Sequence, residues 1–202
     1  MKRVILLLLS LLLISATAVA ATLVTDLSPW QGEYISRITL IRHPDMQPLY
    51  RDTAKAAAVK GKSYTSEQVK AHLARTFRTD FGKIKIKGNS ITFYPLDKAS
   101  SPLTRAYTYA GEKSDSYGKM KFSWHGFTAD TKDAPYKFLL MMKPHQHNKG
   151  VPHFHFRYSN KSFKAIIGPE IEYWWPTFLP LNVDVKEFRK GTDPKLLARL
   201  LP

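Results

Sequence analysis

From Phe81 onward the apolar residues recur at every second position, and this period does most to limit what the chain can become. Ile84 and Ile86 share one face, while Lys83, Lys85 and Lys87 share the other. Gly88-Asn89 is a turn signal, after which Ile91 and Phe93 resume the apolar face. That pattern predicts a β-hairpin with a lysine-lined outer side. Lysine rows of this kind are ordinarily solvated faces, and less often polyanion sites. Further strands fit residues 105–110, 120–124, 136–142 and 154–158, separated by stretches rich in Gly, Ser, Asp and Lys. Residues 33–41 alternate loosely and read as another strand.

Helices are few. Thr65 with Gln68 forms a capping box, and Val69, Leu73 and Phe77 follow at helical spacing, so residues 66–78 are expected to be helical. Residues 46–59, rich in Ala and Lys, are a second helix. Two short helices are expected at the end, at 185–190 and after Asp193-Pro194, where an N-cap residue precedes a proline at the first helical position. Many strands and few helices point to a mainly β fold, an antiparallel barrel. The 13 prolines and 10 glycines suit its turns, and 202 residues suffice for one domain with a core. Apolar residues at 44 % and aromatics at 12 % argue against disorder.

The first segment stands apart. Met1-Lys2-Arg3 is basic, residues 4–14 are apolar except for Ser10, and Ala18-Val19-Ala20 supplies small residues for a peptidase pocket. Residues 1–20 read as a signal peptide and 21–202 as the mature domain. The alternative is a membrane anchor, but the run is short for a span of about 20 residues. No other stretch could cross a membrane, so the chain is not read as an integral membrane protein.

With no cysteine in the chain, disulfides, thiolate nucleophiles, thiolate ligands and a lipoprotein anchor are all excluded. The net charge is +15. Without Lys2 and Arg3 it becomes +13, from 29 basic and 16 acidic residues. Such a field favours membrane surfaces, acidic proteins or polyanions and opposes long-range capture of cations. Coordination bonds act locally, however, and salt screens distant charges within about 10 Å.

Seven histidines are present, and His145, His147, His153 and His155 crowd into one short stretch. On a strand, His153 and His155 share a face opposite Phe154 and Phe156. If the phenylalanines pack between strand and helix, the histidines face a barrel interior or a cleft. Two imidazoles can share an ion at about 2.0–2.1 Å, and three plus water form the open zinc arrangement. His145 or His147 could fold back to supply the third. Imidazole suits zinc and copper better than calcium or magnesium. Spacing alone leaves two other readings open: a solvent-facing pair, or separately hydrogen-bonded core histidines. His43, His72 and His125 are isolated and read as surface or hydrogen-bonded residues. The chain has no Gly-rich phosphate loop, no His-Glu-x-x-His helix and no Gly-x-Ser-x-Gly elbow. Asp80 and Glu172 are not singled out by spacing. An enzyme is not expected, nor a nucleic-acid partner.

Three motifs resemble the ZinT (YodA) family of periplasmic zinc-binding proteins. They are His153-Phe154-His155, the run Trp175-Pro176-Thr177-Phe178-Leu179-Pro180, and the opening Leu27-Ser28-Pro29-Trp30-Gln31-Gly32. Thr79-Asp80 and the two strands after it also fit, so the likeness covers about residues 26–190. The resemblance implies a lipocalin-like (calycin) β-barrel with a few added helices, holding zinc, cadmium or another divalent transition metal near the barrel mouth through three histidines. It makes His153 and His155 two ligands. The third aligned position falls at Pro144, so a one-residue deletion makes His145 the equivalent, with His147 the alternative. It further implies a role in zinc trafficking, with the solute-binding protein of a zinc ABC importer as partner. The chain departs from the family pattern in lacking an N-terminal histidine-rich segment and a cysteine pair, and in being basic. The competing reading is a lipocalin-like binder of an apolar or anionic ligand at the cell envelope, with zinc incidental.

Overall fold

A computed structural model describes residues 24–97, 99–131, 134–146 and 150–202. The expected signal peptide and His147 lie outside the described residues.

Eight strands form a closed antiparallel barrel in chain order. They are β1 (Gly32–Ser36), β2 (Phe81–Lys87), β3 (Ser90–Pro95), β4 (Leu103–Tyr117), β5 (Met120–Ala129), β6 (Phe138–Met141), β7 (Phe154–Ser159) and β8 (Thr177–Pro180). The ring closes where β1 pairs with β8, through Tyr34–Pro180, Ile35–Leu179 and Ser36–Phe178. Closure gives every strand two neighbours, although the far half of the β4–β5 hairpin, residues 113–117 against 120–124, pairs only with itself. The predicted hairpin forms β2 and β3, and Gly88 takes the positive φ of 56° that its turn requires.

Alternation sends one side chain in two to the barrel interior, and these are large. Phe81, Phe93, Phe127, Phe154, Phe156 and Phe178 are all buried there, together with Ile84, Ile91 and Leu139. Most aromatic rings meet edge-on or tilted, as between Phe81 and Phe93 at 4.8 Å and between Tyr34 and Phe154 at 4.9 Å, while Phe178 stacks on Phe81 and Phe154. An eight-stranded barrel is just wide enough for side chains to fill it. These residues make the interior a packed core, at odds with an apolar ligand held inside.

A second core lies between the barrel's outer surface and the helices. The helices are α1 (Arg37–Ile41), α2 (Gln47–Ala58), α3 (Ser66–Thr76), α4 (Val185–Gly191) and α5 (Pro194–Arg199). They bury Ile38, Leu49, Leu73, Phe188 and Leu197 against Trp124, Leu140, Trp175 and Leu179 of the strand side. The capping box at Thr65 and Gln68 starts α3 as read from the sequence.

One expectation needs correction. Residues 33–41 are not one strand: β1 stops at Ser36, and Arg37–Ile41 turns into α1. The β-branched Ile38 and Ile41 suit a strand locally, but burying both with Leu40 under the helical layer outweighs that preference. The run 175–180, to which its sequence assigns no element, contributes the closing strand β8. The lysine row does lie outside, and Lys83 and Lys85 reach Glu33 of β1 at 3.5 and 2.9 Å.

Candidate metal centre

Beyond the last rung of the β6–β7 ladder, Met141 opposite Phe156, the two chains continue side by side. The Met142 N–H donates to the His155 carbonyl at 3.0 Å. His145 and His153 then form an isolated antiparallel bridge, exchanging two backbone hydrogen bonds of 2.9 Å each. Directly opposed residues put their side chains on one face, and His155, two residues past His153, shares it. This is how His145, just past the end of β6, comes to face the pair.

The result is a triad of rings. Centroids lie 4.5 Å apart for His145 and His153, 5.3 Å for His145 and His155, and 5.4 Å for His153 and His155. One nitrogen from each ring lies within 4.8 Å of the others. Tetrahedral zinc with bonds of about 2.0–2.1 Å needs nitrogens about 3.4 Å apart, so small ring movements bring the set to that geometry. All three side chains are half-buried. The donor set, three imidazoles and no thiolate, suits zinc and leaves a fourth position open.

Each ring is held by its other side. His145 Nδ1 lies 3.0 Å from the Lys143 carbonyl, and His153 Nδ1 lies 2.9 Å from the Val151 carbonyl. A carbonyl can only accept, so both Nδ1 atoms carry the proton and Nε2 carries the lone pair. His155 Nδ1 lies 3.0 Å from Thr177 Oγ1, whose own hydroxyl donates to the Trp175 carbonyl at 2.8 Å. The Trp175 ring also meets His155 edge-on at 5.2 Å.

The motifs read from the sequence surround this triad. A 3₁₀ turn at Ser28–Trp30 brings Trp30 into the interior, where it is fully buried against Phe127 and His125. Its indole N–H donates to the Met142 carbonyl at 2.7 Å, anchoring the arm that carries His145. On the outer side Arg157, two residues past His155, is 1 % exposed. Its guanidinium lies beside the stacked rings of Trp124 and Trp175, 4.9 and 4.8 Å from their centroids. It pairs with Asp115 at 3.1 Å and donates to the Trp174 and Ile166 carbonyls. Burial pulls this guanidinium down to about 10, against the pull of Asp115, so it stays charged at neutral pH.

The sequence pattern places His153 and His155 opposite Phe154 and Phe156, and the structure does the same with the faces exchanged. The phenylalanines fill the barrel, and the histidines stand outside at its end. Among the isolated histidines, His43 accepts from the Asp45 N–H at 3.3 Å. His125 is instead buried beside Trp30 and Tyr109, its Nδ1 without a hydrogen-bond partner and 3.9 Å from Glu112. Thr177 and Arg157 escaped sequence reasoning. Thr177 belonged to a quoted motif, but only the β7–β8 register sets it beside His155.

A family model described as ZinT (YodA), periplasmic lipocalin-like zinc-recruitment, matches residues 19–192. The chain belongs to the ZinT family. Zinc recruitment is the function that membership assigns, and the eight-stranded barrel is the family's lipocalin-like fold. No curated protein sequence matches. Among solved structures, the Zn(II)-bound ZinT-like domain of Streptococcus pneumoniae AdcA shares the fold. It has a TM-score of 0.64 at 24 % identity, over 85 % of this chain and 91 % of that one. The Zn(II)-bound AdcA from the same organism matches with a TM-score of 0.64 at 22 % identity, over 86 % of this chain and 35 % of that one. Among the described residues no helix is long and apolar enough to cross a membrane.

Proposed function

We propose that the chain is exported by residues 1–20 and works in the periplasm as residues 21–202, a zinc carrier that binds one ion through His145, His153 and His155. The observation that carries this reading is the triad itself: three rings, each tethered through Nδ1, with one nitrogen from each within 4.8 Å of the other two. Nε2 is then the ligating atom in all three. A half-exposed site with one open coordination position suits a carrier, because an incoming donor can join the ion before the histidines release it. Binding and handover, rather than turnover, is the role this supports. The protein that receives the zinc would present its own ligands at that open position. The solute-binding protein of a zinc importer is one such acceptor.

Metal content after purification without chelator, with calorimetry at neutral pH, tests the site. The expected result is about one zinc per chain, with tight uptake lost in His153→Ala and His155→Ala. His145→Ala should lose it as well and His147→Ala should retain it; the reverse would transfer the third ligand to His147. Zinc uptake indifferent to all four substitutions would end this reading.

A further inference from the structure

His145 and His153 are oriented by carbonyls of their own chain two residues back, which no side-chain substitution removes. His155 is oriented by a side chain on another strand. Thr177 sits opposite it on the β7–β8 ladder, 1 % exposed. The hydroxyl has one proton, and the Trp175 carbonyl takes it at 2.8 Å. The oxygen facing His155 at 3.0 Å is therefore an acceptor.

We propose that Thr177 is a positioning residue for metal capture: its doubly engaged hydroxyl holds His155 as the Nδ1–H tautomer and so turns the Nε2 lone pair toward His145 and His153. The inference rests on the zinc reading above and adds a residue that does not touch the ion. The chain of donors runs one way, from ring N–H to hydroxyl oxygen and from hydroxyl proton to the Trp175 carbonyl. The backbone of Trp175 is itself pinned, its N–H donating to the Thr76 carbonyl of α3 at 2.7 Å. Pro176 accepts from the Phe156 N–H at 3.0 Å, locking the same three residues to β7. The sequence Trp175-Pro176-Thr177 thus fixes the direction of the hydroxyl as well as its place. Outer partners of this kind orient metal-bound histidines and raise their basicity, and removing one weakens binding by about 10–100-fold.

The test compares Thr177→Val, which keeps the shape and loses the hydroxyl, with Thr177→Ser, which keeps the hydroxyl. Zinc affinity is measured by competition with a chromophoric chelator, and the His155 tautomer of the metal-free chain by long-range ¹H–¹⁵N NMR. Thr177→Val should bind zinc about 10–100-fold more weakly and show a mixed tautomer, while Thr177→Ser keeps wild-type affinity and the Nδ1–H form. A residue that only supports the turn would alter thermal stability without altering the tautomer. Equal affinity in Thr177→Val and wild type would overturn the proposal. So would an equal loss in Val and Ser, or a wild-type His155 protonated on Nε2. If wild-type zinc binding proves indifferent to His155→Ala, the parent reading fails instead, and the tautomer in the metal-free chain still decides what Thr177 does.

Discussion

The two faces of β7 make opposite uses of neighbouring residues. Phe154 and Phe156 point into the barrel among Phe81, Phe178 and Tyr34. His155 and Arg157 point out, one completing the histidine triad and the other lying beside two stacked tryptophans. The inner face is all volume and no chemistry; the outer face carries a ligand and a buried charge side by side. A shift of one residue in register would exchange them, so the large inner rings also guarantee which way the histidines look. The barrel serves as a rigid frame, and the chemistry sits on its outside.

Three experiments would break or sharpen that contrast. The largest effect is expected on the inner face. Phe156→Ala should cost about 3–5 kcal/mol in urea unfolding, because it opens a cavity in a filled core. A loss below about 1 kcal/mol would mean that the interior is not close-packed. On the outer face, Arg157→Met should cost about 3 kcal/mol by leaving the nearly buried Asp115 carboxylate unpaired. The double variant Arg157→Met with Asp115→Leu should recover most of that loss. If it does not, the guanidinium stabilises through its tryptophans rather than its ion pair.

The smallest effect is a change of slope with pH. Burial lowers the affinity of His125 for a proton, chiefly through lost solvation, with Glu112 opposing and Lys143 assisting. The unfolded chain therefore takes up that proton first, at about 6.5. Stability is fully present above that value and is lost as pH falls through it toward the lower folded value. The urea midpoint should drop between pH 7.5 and 5, and less so in His125→Phe. Some slope remains from His72, which burial shifts in the same direction. An unchanged slope in the variant would remove His125 from the account.

What could be read from the sequence was local. The β2–β3 hairpin, the α3 capping box and the Asp193-Pro194 helix start each depend on residues a few positions apart, and each stands where it was expected. What escaped depends on distant contacts. Arg37–Ile41 carries strand-like residues and becomes a helix because of what lies beneath it. Thr177–Pro180 looks like a proline-broken loop and becomes the strand that closes the ring. The histidine spacing pointed to the stretch that holds the triad but could not say which face was inside, since that is decided by the side chains that other strands send into the barrel. Arg157 was invisible for the same reason: its partners Asp115, Trp124 and Trp175 come from β4, β5 and the segment before β8.

The β7–β8 ladder has only two rungs, Phe154–Phe178 and His155–Thr177, and it lies next to the seam where β8 meets β1. Joining β8 to β1 pairs Tyr34 with Pro180, a contact of high sequence separation whose loop entropy must be met before it forms. The rung that orients His155 spans only 22 residues, but the Trp175 backbone that takes the Thr177 proton is held by Thr76 of α3, far back in the chain, so metal capture becomes a readout of finished folding. A chain that has built its hairpins but not yet docked α3 already carries all three histidines, yet has not fixed the carbonyl that aims the hydroxyl at one of them.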